Sequence, residues 1–440
     1  MLRRSRHSVV EGLEARTIFS ISFLPAVQSP VGPLGPLATG DFTGDGAADV
    51  VALNTATNQV KLYPGLGNGQ FVPTATAIPL DAGTNVVQLL AGDVNRDGKL
   101  DVVAVNGRSS SGAGGVTVLL GQGGLAFAPA QHYPAGPSPK AAAIGDFNRD
   151  GRPDLAVAND ALWPASTPTA PQGFGAGILL GTNAGFHPVY RLPLTGPTVS
   201  VAAPPAMPSL TAVNAASTLA LAGANLLVAS PLPVTSVYLF PTGLSIAAVP
   251  PISVALMGES RGLAVADLNR DGRADVVALQ ALGANATNAS AITVHSVVSR
   301  AATTTTAPYG YAPIGPFATG LSESARPGLA VGDFDTDGRL DAAVAGIRPA
   351  GPMLPAFQGG VAVLPGRGFG YFAAASFFAT GAQPLSLAVV DANRDRRPDI
   401  LTGSAGGVSA LLNRSTPSTN ARESIDLDAE TPELAPSLPA

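Results

Sequence analysis

Six times along this chain, a short stretch crowded with aspartate runs straight into an apolar strand. GDFTGDGAADVVALN begins at Gly40, GDVNRDGKLDVVAVN at Gly92 and GDFNRDGRPDLAVAN at Gly145. ADLNRDGRADVVALQ begins at Ala266, GDFDTDGRLDAAVAG at Gly332 and VDANRDRRPDILTGS at Val390. Regular self-similarity means a repeat architecture, in which each unit buries its apolar face only by stacking on its neighbours. The first aspartates of the copies lie 52, 53, 121, 66 and 58 residues apart. The longest interval holds room for one more copy. STLALAGANLLVA, residues 217–229, fits there with its aspartates lost, Gly223 standing for the loop glycine and Leu226–Ala229 for the following strand. The expected count is seven repeats.

Each repeat has the same internal order. An apolar strand enters the Asp loop and a second strand leaves it, as in VVALN, VVAVN and LAVAN. After a loop of variable length comes a third strand (QVKLYPG, GGVTVLLG, GAGILLG, GGVAVLPG), then a Gly-rich turn and a weaker fourth strand. Short strands punctuated by Gly, Pro and Asn read as all-β. Four strands per unit of about 50 residues is the pattern of a propeller blade. The expected fold is therefore a seven-bladed β-propeller of four-stranded blades. The last repeat ends at Arg414 with only three strands, and TIFSISFLPAV, residues 17–27, is a spare strand at the other end. An unpaired sheet edge is a liability, so this N-terminal strand is expected to close the last blade. The chain then divides into a basic segment 1–16, a propeller 17–414 with a degenerate fourth blade, and an acidic tail 415–440 expected to be disordered.

Composition narrows the function. The chain has no cysteine, which excludes disulfides and thiolate metal sites. The formal charge of −5 is local, because the six loops hold 19 of the 30 acidic residues. No basic stripe suggests nucleic acid, and no apolar run is long enough for a transmembrane helix.

The Asp loops carry the chemistry. Calcium takes about six to eight oxygen ligands, and a nine-residue loop can surround it with side chains at positions 1, 3, 5 and 9 and a carbonyl at position 7. The candidate side-chain ligands are Asp41, Thr43, Asp45 and Asp49 in the first loop, then Asp93, Asn95, Asp97 and Asp101, then Asp146, Asn148, Asp150 and Asp154. The fifth, sixth and seventh repeats supply Asp267, Asn269, Asp271 and Asp275; Asp333, Asp335, Asp337 and Asp341; and Asp391, Asn393, Asp395 and Asp399. The candidate backbone ligands are Ala47, Lys99, Arg152, Arg273, Arg339 and Arg397. Glycine at position 6 permits the sharp turn. No loop has Glu at position 12, so an EF-hand is excluded. The competing reading is a set of Asx-turns that bind nothing; close-packed carboxylates that repel one another favour a cation. About five or six Ca2+ sites are expected. The Asp333 loop, with its extra Asp335, should bind most tightly. Thr43 is a poorer ligand. The Asp391 loop, with Arg396 in place of glycine, should be weakest.

These loops, the strand after them and the (V/I)xLLG segment resemble the FG-GAP/VCBS repeats of integrin-α-like β-propellers, over about residues 17–414. The resemblance implies a seven-bladed propeller with calcium in the loops joining the first two strands of a blade. It also implies an interaction or scaffold role, with no particular ligand. VVEGLEARTIFS near the start resembles the LEPR-XLL sorting motif of bacterial exported or surface proteins. Leu13, Glu14 and Arg16 match it, and Ala15, Ile18 and Phe19 depart from it.

Catalytic groups are sparse. His7, His132, His187 and His295 fall in no motif, His132 and His187 being read as similar fourth-strand positions. Few acids outside the loops could form a glycosidase pair. Trp163 and Phe174, in a long loop between second and third strands, are candidate anchors for a partner. The expected function is a non-catalytic, calcium-binding adhesion or interaction module, secreted or at the cell surface, with a protein or glycan ligand. The alternatives are a glycan-binding propeller and a polysaccharide lyase or hydrolase on the same scaffold.

Overall fold

The computed structural model describes residues 21–415, except 74–75, 79–84, 108–113, 147, 149, 160–174, 194–209, 214–217, 226–233, 241–251, 258, 272–274, 283–290, 305–306, 323–327, 351–356 and 382. The sorting segment, the acidic tail beyond Ser415, Trp163, Phe174, Arg273 and Leu226–Ala229 lie outside the described residues. Among the described residues the secondary structure is all β. Among the described residues, no helix is long and apolar enough to cross a membrane.

The expected strand order recurs in each repeat. The first is Leu34–Gly40, Asp49–Asn54, Gln59–Tyr63 and Thr76–Ile78, paired antiparallel in that order. The second is Val86–Gly92, Asp101–Asn106, Gly115–Leu119 and Gln131–Pro134. The third is Pro139–Gly145, Asp154–Asn159, Gly175–Leu179 and Tyr190–Pro193. In the second, third and sixth repeats a two-stranded hairpin follows the third strand. The fifth repeat has third and fourth strands of 14 and 16 residues, Ala291–Thr304 and Ala307–Ser322. Pairing of Ser322 with Ile347 joins its sheet to the sixth.

The fourth repeat has four paired strands, Leu210–Val213, Thr218–Asn225, Val234–Phe240 and Ile252–Met257, but not the expected alignment. Gly223 lies inside the second strand, paired with Ser236, and stands at no loop position. Only residues 214–217 separate the first two strands, against eight residues between Gly40 and Asp49 in the first repeat. The interval 214–217 is too short for a nine-residue Asp loop, and Thr218–Asn225, expected to hold the degenerate loop, is one strand.

The last sheet contains both ends of the folded chain: Val27–Ser29 pairs with Gly407–Leu411, beside Asp399–Ser404 and Pro384–Val390. The N-terminal segment thus supplies the edge strand, as expected, but at 27–29. Residues before it attach by an isolated Phe23–Asn413 bridge and a 2.8 Å hydrogen bond from Leu24 N–H to the Leu412 carbonyl.

Second strands such as Asp49–Asn54, Asp154–Asn159 and Asp399–Ser404 are buried at every residue. They read as continuous apolar runs because both their faces are covered. The core lies between consecutive sheets. Val51, Leu53 and Leu62 of the first repeat pack with Leu89, Val102 and Leu119 of the second. Leu34, Val50 and Tyr63 of the first pack with Leu401 and Val408 of the seventh. The first strand of each repeat lies beside that of the next, and the seventh lies beside the first.

Candidate functional site

Each Asp loop joins the first strand of a sheet to the largely buried second strand. Position 2 is an apolar plug: Phe42, Val94, Leu268, Phe334 and Ala392 are all buried between their own sheet and the next one. Sequence reasoning passed over these residues, though the apolar residue after the first aspartate of every copy was the signal.

Position 1 folds the loop. In the second repeat, Asp93 Oδ1 accepts from Asp97 N–H at 3.0 Å and Oδ2 from Gly98 N–H at 2.9 Å. Asp41 and Asp146 do the same for Gly46 and Gly151 at 2.9 Å. Position 5 accepts from the N–H of position 7, whose carbonyl was the candidate ligand: Ala47 to Asp45, Lys99 to Asp97, Arg152 to Asp150, Arg339 to Asp337 and Arg397 to Asp395, at 2.7–2.9 Å. At position 3, Asn95 Nδ2 donates to Asp97 Oδ2 at 3.1 Å, and Asn148 Nδ2 to Asp150 Oδ2 at 3.0 Å. Asn269 Oδ1 accepts from Asp271 N–H at 3.0 Å, and Thr43 Oγ1 lies 3.5 Å from Asp41 Oδ1. The bonds from the N–H groups of positions 5 and 7 to the side chains two residues before them are Asx-turns.

Position 9 is a clamp. Asp49, Asp101, Asp154, Asp275, Asp341 and Asp399 are fully buried at the head of the second strand. Asp101 Oδ2 accepts from Val94 N–H at 2.8 Å and Oδ1 from Gly121 N–H at 2.8 Å, so one carboxylate ties the loop to the end of the third strand. Asp49 with Gly65, Asp154 with Gly181 and Asp341 with Gly366 repeat the second bond. This explains the glycine of the LLG and LPG segments. A Cβ at Gly65, Gly121, Gly181 or Gly366 would overlap the carbonyl oxygen of Ala48, Leu100, Pro153 or Leu340.

Two positions hold left-handed backbone. Position 6 has φ near +83° at Gly46, Gly98, Gly151 and Gly338. Arg396 takes φ +66° there and still donates its N–H to Asp391 Oδ2 at 2.7 Å, so it accepts the strain and leaves the turn undistorted. Position 4 is left-handed too, at Gly44, Arg96, Arg270, Thr336 and Arg394, a feature arginine does not advertise in sequence.

The electrostatics peak in the sixth repeat. One oxygen each from Asp333, Asp335 and Asp341 lies within 4.8 Å of the other two, and Asp335 is only 3% exposed. Burial, reinforced by the Asp337 charge, pushes the Asp335 carboxyl up to about 6. Burial, with the charge of Asp335, pushes Asp341 up to about 8. Burial also raises Asp101 and Asp399 to about 6. Hard oxygen donors gathered against their own repulsion suit a hard divalent cation.

Other candidates fare differently. His187 follows the small hairpin of the third repeat, its N–H bonded to the Leu180 carbonyl, and corresponds to Ala128 of the second repeat. His132 pairs with Thr117 within the fourth strand, so the two are not equivalent. The small hairpin between third and fourth strands places His187 ahead of the fourth strand, Tyr190–Pro193. His295 is buried, with its pKa lowered by desolvation. Asn413, in a sequon, is buried and donates to the Phe334 and Pro398 carbonyls.

No curated protein matches the chain. Residues 41–104 and 93–157 each match the FG-GAP-like repeat family, and each match runs from one Asp loop through the strand after the next. The chain carries FG-GAP-like repeats.

Proposed function

We propose that the chain is a seven-bladed β-propeller that holds Ca2+ in its Asp loops and serves as a non-catalytic interaction module outside the cell or at its surface. Supporting the ring are seven successive four-stranded sets, the side-by-side first strands, and a last sheet built from both ends of the chain. The single observation that carries the calcium reading is the convergence of Asp333, Asp335 and Asp341, in a loop whose plan recurs in five other repeats. In the sixth loop Asp333, Asp335, Asp337 and Asp341 would hold the cation, with the Arg339 carbonyl. The cation supplies the positive charge that three or four packed carboxylates lack, and it stabilises the folded state by mass action. The interaction role rests on the FG-GAP-like repeats, which in integrin-like propellers generally serve protein interaction. The extracellular placement rests on the LEPR-XLL resemblance. Thermal melting in calcium and in chelator tests the metal reading: Tm should rise clearly with calcium, and a Tm indifferent to both would remove the proposal's basis.

A further inference from the structure

Position 4 of these loops is an odd place for arginine. Its left-handed backbone favours glycine or asparagine, yet the second, fifth and seventh repeats put Arg96, Arg270 and Arg394 there, at φ +59° to +64°. Each reaches the loop of the next repeat. Arg394 Nη2 donates to the Asp45 carbonyl at 3.0 Å and lies 3.3 Å from Asp45 Oδ1, 349 residues away in sequence. A Cβ on Gly67 would come within 3.0 Å of its Nε, so the guanidinium runs closely over the first repeat. Arg270 Nη2 lies 2.5 Å from where a Cβ of Gly338 would stand, and Arg96 Nη1 3.7 Å from that of Gly151. The apolar plug at position 2 already seats each loop against the following sheet, which gives all three arginines the same heading.

We infer that Arg394 acts in trans on the first loop, lowering its affinity for a divalent cation by placing a guanidinium on Asp45; Arg96 and Arg270 bring a guanidinium to the position-6 glycines of the third and sixth loops, without the contact to the position-5 carboxylate. The inference rests on the calcium reading above and adds a residue that sets site strength. Asp45 is the position-5 ligand of its loop. A cation entering there meets a like charge a few ångströms off, and neither is buried enough to escape water's screening, so the penalty is modest. The second and seventh loops receive no such charge, because position 4 of the preceding repeats is Gly44 and Thr336. The ring would then hold two grades of site, set by the neighbour as well as by the loop's own ligands. In the sixth loop the extra carboxylate of Asp335 offsets the incoming Arg270.

The test is a calcium titration of the full chain followed by NMR at two backbone amides. Gly46 reports the first loop through its bond to Asp41, and Gly98 the second through Asp93. Arg394→Gln should lower the half-saturating calcium at Gly46 by about three- to tenfold and leave Gly98 unmoved. Gly44→Arg is the reciprocal variant. It places an arginine where the second loop lacks one, its Cβ in open space at φ +77°, and should weaken Gly98 by a similar factor. If the wild type responds at both glycines but neither variant shifts its target loop, the trans effect is overturned while the calcium reading stands. If neither glycine of the wild type responds to millimolar calcium, both fall.

Discussion

The sixth and seventh loops share one skeleton and differ in charge. In the sixth, Asp333 accepts from Asp337 N–H at 3.1 Å and Gly338 N–H at 2.8 Å. In the seventh, Asp391 accepts from Asp395 N–H at 3.0 Å and Arg396 N–H at 2.7 Å. The clamp matches as well: Asp341 takes Phe334 and Gly366 N–H at 2.7 and 2.6 Å, and Asp399 takes Ala392 and Asn413 N–H at 2.9 and 2.7 Å. Replacing glycine by arginine at position 6 therefore leaves the loop's shape intact. Position 3 is where they part. Asn393 Nδ2 donates to Asp395 Oδ2 at 3.1 Å, whereas the Asp335 carboxylate, which accepts from Asp337 N–H at 3.1 Å, has no proton to offer the Asp337 carboxylate and repels it. Positions 1, 5 and 9 shape the loop, and position 3 sets how much carboxylate charge it gathers.

The largest expected effect tests the clamp. Gly366→Asn gives the sixth repeat the residue that the seventh carries as Asn413. Its Cβ would overlap the Leu340 carbonyl, so we expect a loss of about 3 kcal/mol in urea unfolding. An unchanged midpoint would mean that the glycine is not required for the close approach.

Next comes charge. Asp335→Asn should weaken calcium binding at the sixth loop about tenfold, or about 1.4 kcal/mol, and stabilise the chelated protein. Its pH signature has a fixed sign. The carboxyls of Asp335 and Asp341 ionise less readily in the folded chain than in the unfolded one, so the native state holds protons the unfolded chain has released. Metal-free stability from these groups should fall as pH rises from the ordinary 3.8 through about 6 and on to about 8. Unfolding followed across that range in chelator should show the fall, calcium should abolish it, and Asp335→Asn should flatten it. A stability that climbs with pH in chelator would contradict the assignment.

The smallest effect belongs to position 6 of the seventh loop. Arg396→Gly relieves a left-handed arginine but frees the unfolded chain, so a net gain of about 0.5–1 kcal/mol is expected in chelator. A loss would show that the Arg396 side chain contributes contacts that outweigh its backbone strain.

The parts legible in sequence were those that depend on residue type. The Asp loops, the apolar second strands and the missing last strand each leave a compositional mark, so six repeats and the need for an N-terminal edge strand could be read directly, while the fourth repeat showed only as an interval of double length. Backbone demands left no such mark. Arg96, Arg270 and Arg394 look like ordinary surface charges, and only the fold shows them left-handed and turned toward a neighbour. Gly121, the last residue of GGVTVLLG, bears no mark of its role, which is to let the end of the third strand approach the Leu100 carbonyl. Gly223 misled because a glycine in an apolar run has the same letter whether it turns or pairs. The 16-residue strand of the fifth repeat was hidden because Pro308, Pro313 and Pro316 are residues that ordinarily interrupt a strand.

The closing sheet also sets how the molecule would bear load. Ser22 N–H meets Ser415 Oγ at 3.0 Å, and Arg414 N–H meets the Ser22 carbonyl at 2.7 Å, so the polypeptide enters and leaves the folded body at one spot. Val27–Ser29 runs antiparallel to Gly407–Leu411 directly behind it. Tension between an upstream and a downstream attachment would peel those two strands apart rung by rung, the mechanically weakest way to part a sheet, whereas tension applied through either attachment and a partner elsewhere on the body would spare that seam.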